Sequence, residues 1–87
     1  MMREEYNPYL RAAILEVVDN QLVNNTPPET RQTFERLLRE GKSEDEAKML
    51  IASVVAVEIF EVLNRQEPYK NERFVKALNR LPELPEG

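Results

Sequence analysis

The chain has no histidine, no cysteine and only two glycines, and its apolar runs are short. Without histidine it lacks the usual general base, the commonest transition-metal ligand and every Ser-His or Cys-His nucleophile arrangement. Without cysteine there is no disulfide staple and no thiolate zinc site, an absence that is neutral about redox compartment. The glycines stand at Gly41 and Gly87, so no glycine-rich phosphate cradle exists. The longest apolar run, residues 49–57, contains Ser53 and falls far short of the roughly 20 residues needed to span a bilayer. No apolar h-region follows the charged opening of the chain, which leads to the expectation of a cytoplasmic protein without a secretory leader.

What is present is one small, charged, helix-patterned domain. Eighty-seven residues allow a single domain. A chain of this size buries only about 60–65% of the surface its unfolded form exposes, so it must pack well or gain burial from a partner. Sixteen carboxylates oppose 12 Lys and Arg, for a net charge of −4. An acidic total argues against nucleic acid as the partner. The most basic stretch, Arg31, Arg36, Arg39 and Lys42, is interleaved with Glu29, Glu35 and Glu40. Its i,i+4 spacings (Arg31–Glu35, Glu35–Arg39, Arg36–Glu40) predict a solvated helix face held by weak pairs.

Proline and glycine divide the chain into four helical segments. The first starts at Asn7–Pro8, with Asn as N-cap and Pro at the first helical position. Leu10, Ala13, Ile14, Val17 and Val18 form its apolar stripe, and it should end at Asn24–Asn25. The second opens on Thr26–Pro27–Pro28–Glu29, a capping-box pattern, and stops at Gly41. Phe34, Leu37 and Leu38 make its stripe, and it reads as short and mostly solvated. Ser43–Glu44–Asp45–Glu46 opens the third, again as a capping box with acids on the positive helix end. It runs about 20 residues to Arg65, since its length, its cap and its missing alternation outweigh the strand propensity of its valines. The fourth covers about Lys70 to Arg80, with Tyr69, Phe74, Val75, Ala77, Leu78 and Leu81 as its apolar set. The expected fold is an all-α bundle of about four helices around a nearly all-apolar third helix, spanning residues 1–81. Residues 82–87 form an extended or disordered proline-containing tail.

Chemistry is sparse. Glu58 and Glu61 lie i,i+3 on the third helix and could form an acid/base couple. Set beside Val54 and Arg65 on one side of the wheel, they read instead as that helix's solvent edge, with Glu61 paired to Arg65. Glu44, Asp45 and Glu46 are explained by capping, so no metal and no cofactor are expected. Tyr6, Tyr9 and Tyr69 sit at helix entrances, where an amphipathic ring suits a core edge. The positive signal is surplus apolar surface. Met49, Ala52, Ala56, Phe60 and Leu63 line one face of the third helix, and Leu50, Ile51, Val55 and Val62 line another. If the core does not absorb both, the first face is a surface for self-association or for a protein partner. The expectation is a non-enzymatic structural or interaction module, as a homodimer or with an unidentified protein. One alternative is a helix-turn-helix around Gly41, whose acidic third-helix entry would face phosphates badly. A carboxylate-based enzyme is the remote one.

From Asn7 to Leu81 the pattern resembles the C-terminal half of a bacterial family described only as a domain of unknown function, number 1841. The resemblance rests on Asn7–Pro8–Tyr9–Leu10, Gln21, Pro27–Pro28 with Arg31, and Ser43, Glu46 and Ala47 leading into the apolar run that ends at Phe60. It implies a shared fold and no assigned activity. The resemblance also implies histidines at the positions held here by Arg11, Leu15, Asp45, Lys48 and Met49, a set that could form a metal or acid-base site. This chain has none of them, so no functional residue carries over.

Overall fold

The described residues form four helices. In order these are α1 (Pro8–Asn24), α2 (Pro28–Arg39), α3 (Glu44–Arg65) and α4 (Asn71–Arg80). The computed structural model describes residues 8–84, and no strand occurs among them. Asn7, the expected first cap, Tyr6 and the last three tail residues lie outside the described residues.

The α1 helix ends as Asn25 turns left-handed (φ 54°), and the Thr26 amide donates back to the Gln21 carbonyl at 3.1 Å. The second cap differs from expectation. Pro27, not Thr26, is the N-cap of α2 and offers no side chain, because Pro28 takes the first helical position. The Thr26 hydroxyl donates instead to the Asn24 carbonyl at 3.0 Å, which serves the end of α1. At the far end, Gly41 (φ 99°) closes a Schellman motif: its amide donates to Leu38 and the Lys42 amide to Leu37, both at 3.0 Å.

Ser43 forms the predicted capping box with Glu46. The Ser43 Oγ accepts from the Glu46 amide at 3.1 Å, and the Glu46 carboxylate accepts from the Ser43 amide at 2.9 Å. Ser43→Ala removes half of this box, and a loss of about 1 kcal/mol is expected. A lower urea midpoint at unchanged m-value would register it.

The core is assembled from all four helices. Val18 and Leu22 come from α1, Leu37 from α2, Ala47, Ile51, Val54 and Val55 from α3, and Phe74 and Leu78 from α4, with Leu81 just beyond. As expected, α3 packs against each of the other three. So does α2, which the sequence reading had left mostly solvated. Thr30 and Thr33 are buried beside Leu37, and the Thr30 hydroxyl donates to Gln21 Oε1 at 2.9 Å. Short threonines at i,i+3 let α2 lie close to its neighbours. The buried side of α1 is also displaced from its predicted stripe. Ile14, Leu15, Val18 and Leu22 face inward, and Leu10, Ala13 and Val17 are exposed.

Candidate functional site

Two features of α3 stand out: a charged cluster on one side and an apolar face on the other. The predicted solvent edge is not one. Val54 is in the core, and Glu58 is only 7% exposed, because α4 docks over them. Arg73 of α4 grips Glu58 as a two-pronged fork: its Nε donates to Oε1 at 3.0 Å and its Nη2 to Oε2 at 2.6 Å. Arg73 Nη1 also reaches Glu67 at 3.4 Å. Glu61 and Arg65 do form the predicted pair, at 2.7 Å.

Glu58 also lies near the start of α4, a helix whose N-cap Lys70 provides no side-chain bond of its own. The Arg73 fork holds its pKa below the usual 4.5; burial opposes this, and the Arg73 charge and the Lys70 amide reinforce it. The same carboxylate, with burial as the larger cause, pushes the Tyr69 phenol up. Tyr69 packs at a tilt on Phe74, ring centroids 6.0 Å apart, and donates its hydroxyl to Asn71 at 2.9 Å. A carboxylate held ionised, buried and gripped by a guanidinium is a weak proton acceptor. The cluster locks α4 in place.

The residues of the expected interaction face lie mostly outside the core, with one exception. Ala52, at 8% exposure, belongs to the core and not to the face. Ala56 is half-buried and Met49 is exposed. Phe60 and Leu63 project into solvent at 56% and 74% exposure, with Ile59 beside them. The other predicted stripe behaves as core: Ile51 and Val55 are buried, and Leu50 and Val62 half-buried. At its N-terminal end the exposed face opens into a groove of about 480 Å³ between α3 and the segment after α4. Met49, Leu50, Pro82 and Leu84 form its apolar walls, and Lys42, Asp45 and Glu46 are at its rim.

The basic residues of α2 are largely turned to internal use. Arg31 donates to the Leu22 carbonyl in the last turn of α1. Arg36 donates to the Leu78 carbonyl in the last turn of α4 at 3.1 Å, and pairs with Glu40 at 2.9 Å. Both reach carbonyls in the last turn of a neighbouring helix, and the Leu78 carbonyl also accepts the Leu81 amide at 3.1 Å. No spacing rule within α2 could have disclosed this, since Leu78 lies 42 residues from Arg36. Of the positions at which the resemblance implied histidine, Arg11 and Met49 meet across α1 and α3, with Nη2 3.4 Å from Sδ. Lys48 pairs with Asp19 at 3.0 Å, and that bond raises its pKa. Among the described residues no group of three or more acids converges to hold a metal, and no helix is long and apolar enough to cross a membrane.

Fold and site together define an all-α domain whose charged groups are spent on holding helices and whose exposed distinction is apolar. A family model described as Domain of unknown function (DUF1841) matches residues 2–80, nearly the whole chain. The chain belongs to that family. No curated protein and no solved structure matches it.

Proposed function

We propose that the protein is a non-enzymatic, cytoplasmic interaction module that binds a protein partner through the exposed face of α3. The observation that carries this is the solvent exposure of Phe60 and Leu63 on the longest helix of the fold, next to an open apolar groove. Leaving large apolar side chains uncovered forgoes roughly 25 cal/mol for each Å² that a partner could bury. In a chain that buries so little of its surface, contiguous exposure of this kind marks a binding surface. The burial of the Glu58 carboxylate under the Arg73 guanidinium supports the non-enzymatic part of the reading.

A photo-crosslinking phenylalanine analogue at position 60 tests it in expressing cells. Adducts of discrete mass are expected from position 60 and not from a control at the exposed Lys76. Because Phe60 lies outside the core, Phe60→Glu should keep the far-UV spectrum and change stability by no more than about 0.5 kcal/mol. Introduced at Leu63 beside a probe kept at position 60, a glutamate should remove the adducts. Equal labelling from both positions would end this reading.

A further inference from the structure

Where α4 packs on α2 and α3, those two helices form a binding site for a helix, and α4 is the ligand it holds. Phe74, Leu78 and the C-cap Leu81 stand at i, i+4 and i+7, the spacing by which an amphipathic helix fills a groove, and each is 2% exposed or less. Two polar grips come from the site itself. Glu58 of α3 takes the Arg73 fork at the start of α4, and Arg36 of α2 donates to the Leu78 carbonyl near its end. The outward residues Glu72, Lys76, Asn79 and Arg80 are exposed. At 10 residues α4 is shorter than the roughly 12–15 that make an isolated helix even marginal in water, so the site holds it helical.

The tether between α3 and α4 stores strain. Residues 66–70 carry no helix and, apart from half-buried Glu67, are exposed. The chain leaves α3 through Gln66, which is left-handed (φ 57°, ψ 33°). For a residue with a Cβ that conformation is disfavoured about tenfold or more against the right-handed one. Glu67 precedes Pro68, so α3 cannot simply continue through it. A right-handed Gln66 redirects residues 67–70, up to about 14 Å of extended chain, away from the site beneath α4.

We infer that this site also takes α4 from a second copy of the chain: two copies trade their fourth helices, and the Glu58 of each grips the Arg73 of the other. The surface used is the one α4 covers, not the exposed face that bears Phe60 and Leu63. The occupant is fixed by what the site already recognises, a helix with an arginine just before an i, i+4, i+7 apolar set. Reciprocal exchange remakes every contact of the single copy and closes on itself as a pair. Two quantities then set the balance. A short tether gives α4 an effective concentration in the mM range at its own site, which favours the single copy. Release of the left-handed residue in both copies favours the pair. Together they put the midpoint on the order of 0.1 mM.

The chain has no cysteine, so introduced ones report the exchange directly. Val57 of α3 and Ala77 of α4 line one small cavity between the two helices, and both are half-buried. Chains with Val57→Cys and chains with Ala77→Cys, refolded together from urea at about 0.5 mM, should link to each other at least about tenfold faster than either links to itself. A double variant at low micromolar concentration, closing within one copy, checks that the two positions can bridge. Sedimentation equilibrium on the unaltered chain should show one copy at low micromolar concentration and mostly two near about 0.5 mM. Gln66→Gly, which takes the left-handed conformation freely, should raise that midpoint at least about tenfold. Linking of the mixed chains no faster than of like chains, while the double variant closes, would overturn the exchange. A one-copy mass up to about 1 mM would do the same. A two-copy mass indifferent to Gln66→Gly would put the contact elsewhere and reject the exchange, leaving the adducts at position 60 to be judged separately.

Discussion

Phe74→Ala is expected to cost about 3–5 kcal/mol, the largest single loss in the domain. Phe74 is 2% exposed and is the largest side chain wholly inside the core. It carries α4 onto the rest of the fold, where Leu78 and Leu81 complete the contact. The void it leaves adds to the lost burial, because α4 is pinned at both ends by Glu58 and Arg36 and cannot collapse inward. A domain of this length has roughly 4–13 kcal/mol in all, so much of the stability goes. Urea unfolding should show the midpoint fall by a large fraction, with a broadened transition if α4 detaches first.

The second large effect belongs to the buried pair. Arg73→Met leaves the Glu58 carboxylate buried without its guanidinium, so Tm should drop on the order of 10 °C. Glu58→Gln should cost less, since Arg73 is one-third exposed and can turn to Glu67 and to water. Replacing both with Leu and Met should recover much of the loss, because neither charge then needs solvation. The pair also sets an acid limit. An unfolded glutamate titrates near 4.5 and the folded Glu58 lower, so between the two values the unfolded chain holds more protons. Its contribution is complete above that ordinary value and is lost as pH falls through the folded one. Tm measured from pH 7 to pH 3 should therefore fall less in Glu58→Gln than in the unaltered chain. Equal slopes would show that Glu58 is not held as the geometry implies.

The devices written within a few residues were legible. Ser43 and Glu46 announce the start of α3, Gly41 the end of α2, and Asn24–Asn25 the end of α1, because each depends on neighbours three to five positions away. The apolar face of α3 was legible for the same reason: Met49, Ala56, Phe60 and Leu63 share one side of any helix with that sequence.

Which sides of each helix meet protein was decided elsewhere. Periodicity states that α3 is apolar on most of its circumference; it does not state where α1 and α4 land. Ala52 went inside, and Glu58, read as a solvent edge, became the anchor of α4 through Arg73, fifteen residues away. Arg31 and Arg36 look from α2 like a solvated charge ladder, yet they close the ends of α1 and α4. Local sequence therefore determined the helices, their ends and the residue types on each face, since those follow from backbone hydrogen bonds and a fixed 3.6-residue turn. Tertiary structure alone decided which charges are buried and which apolar side chains remain in water, because burial depends on the helix that packs opposite.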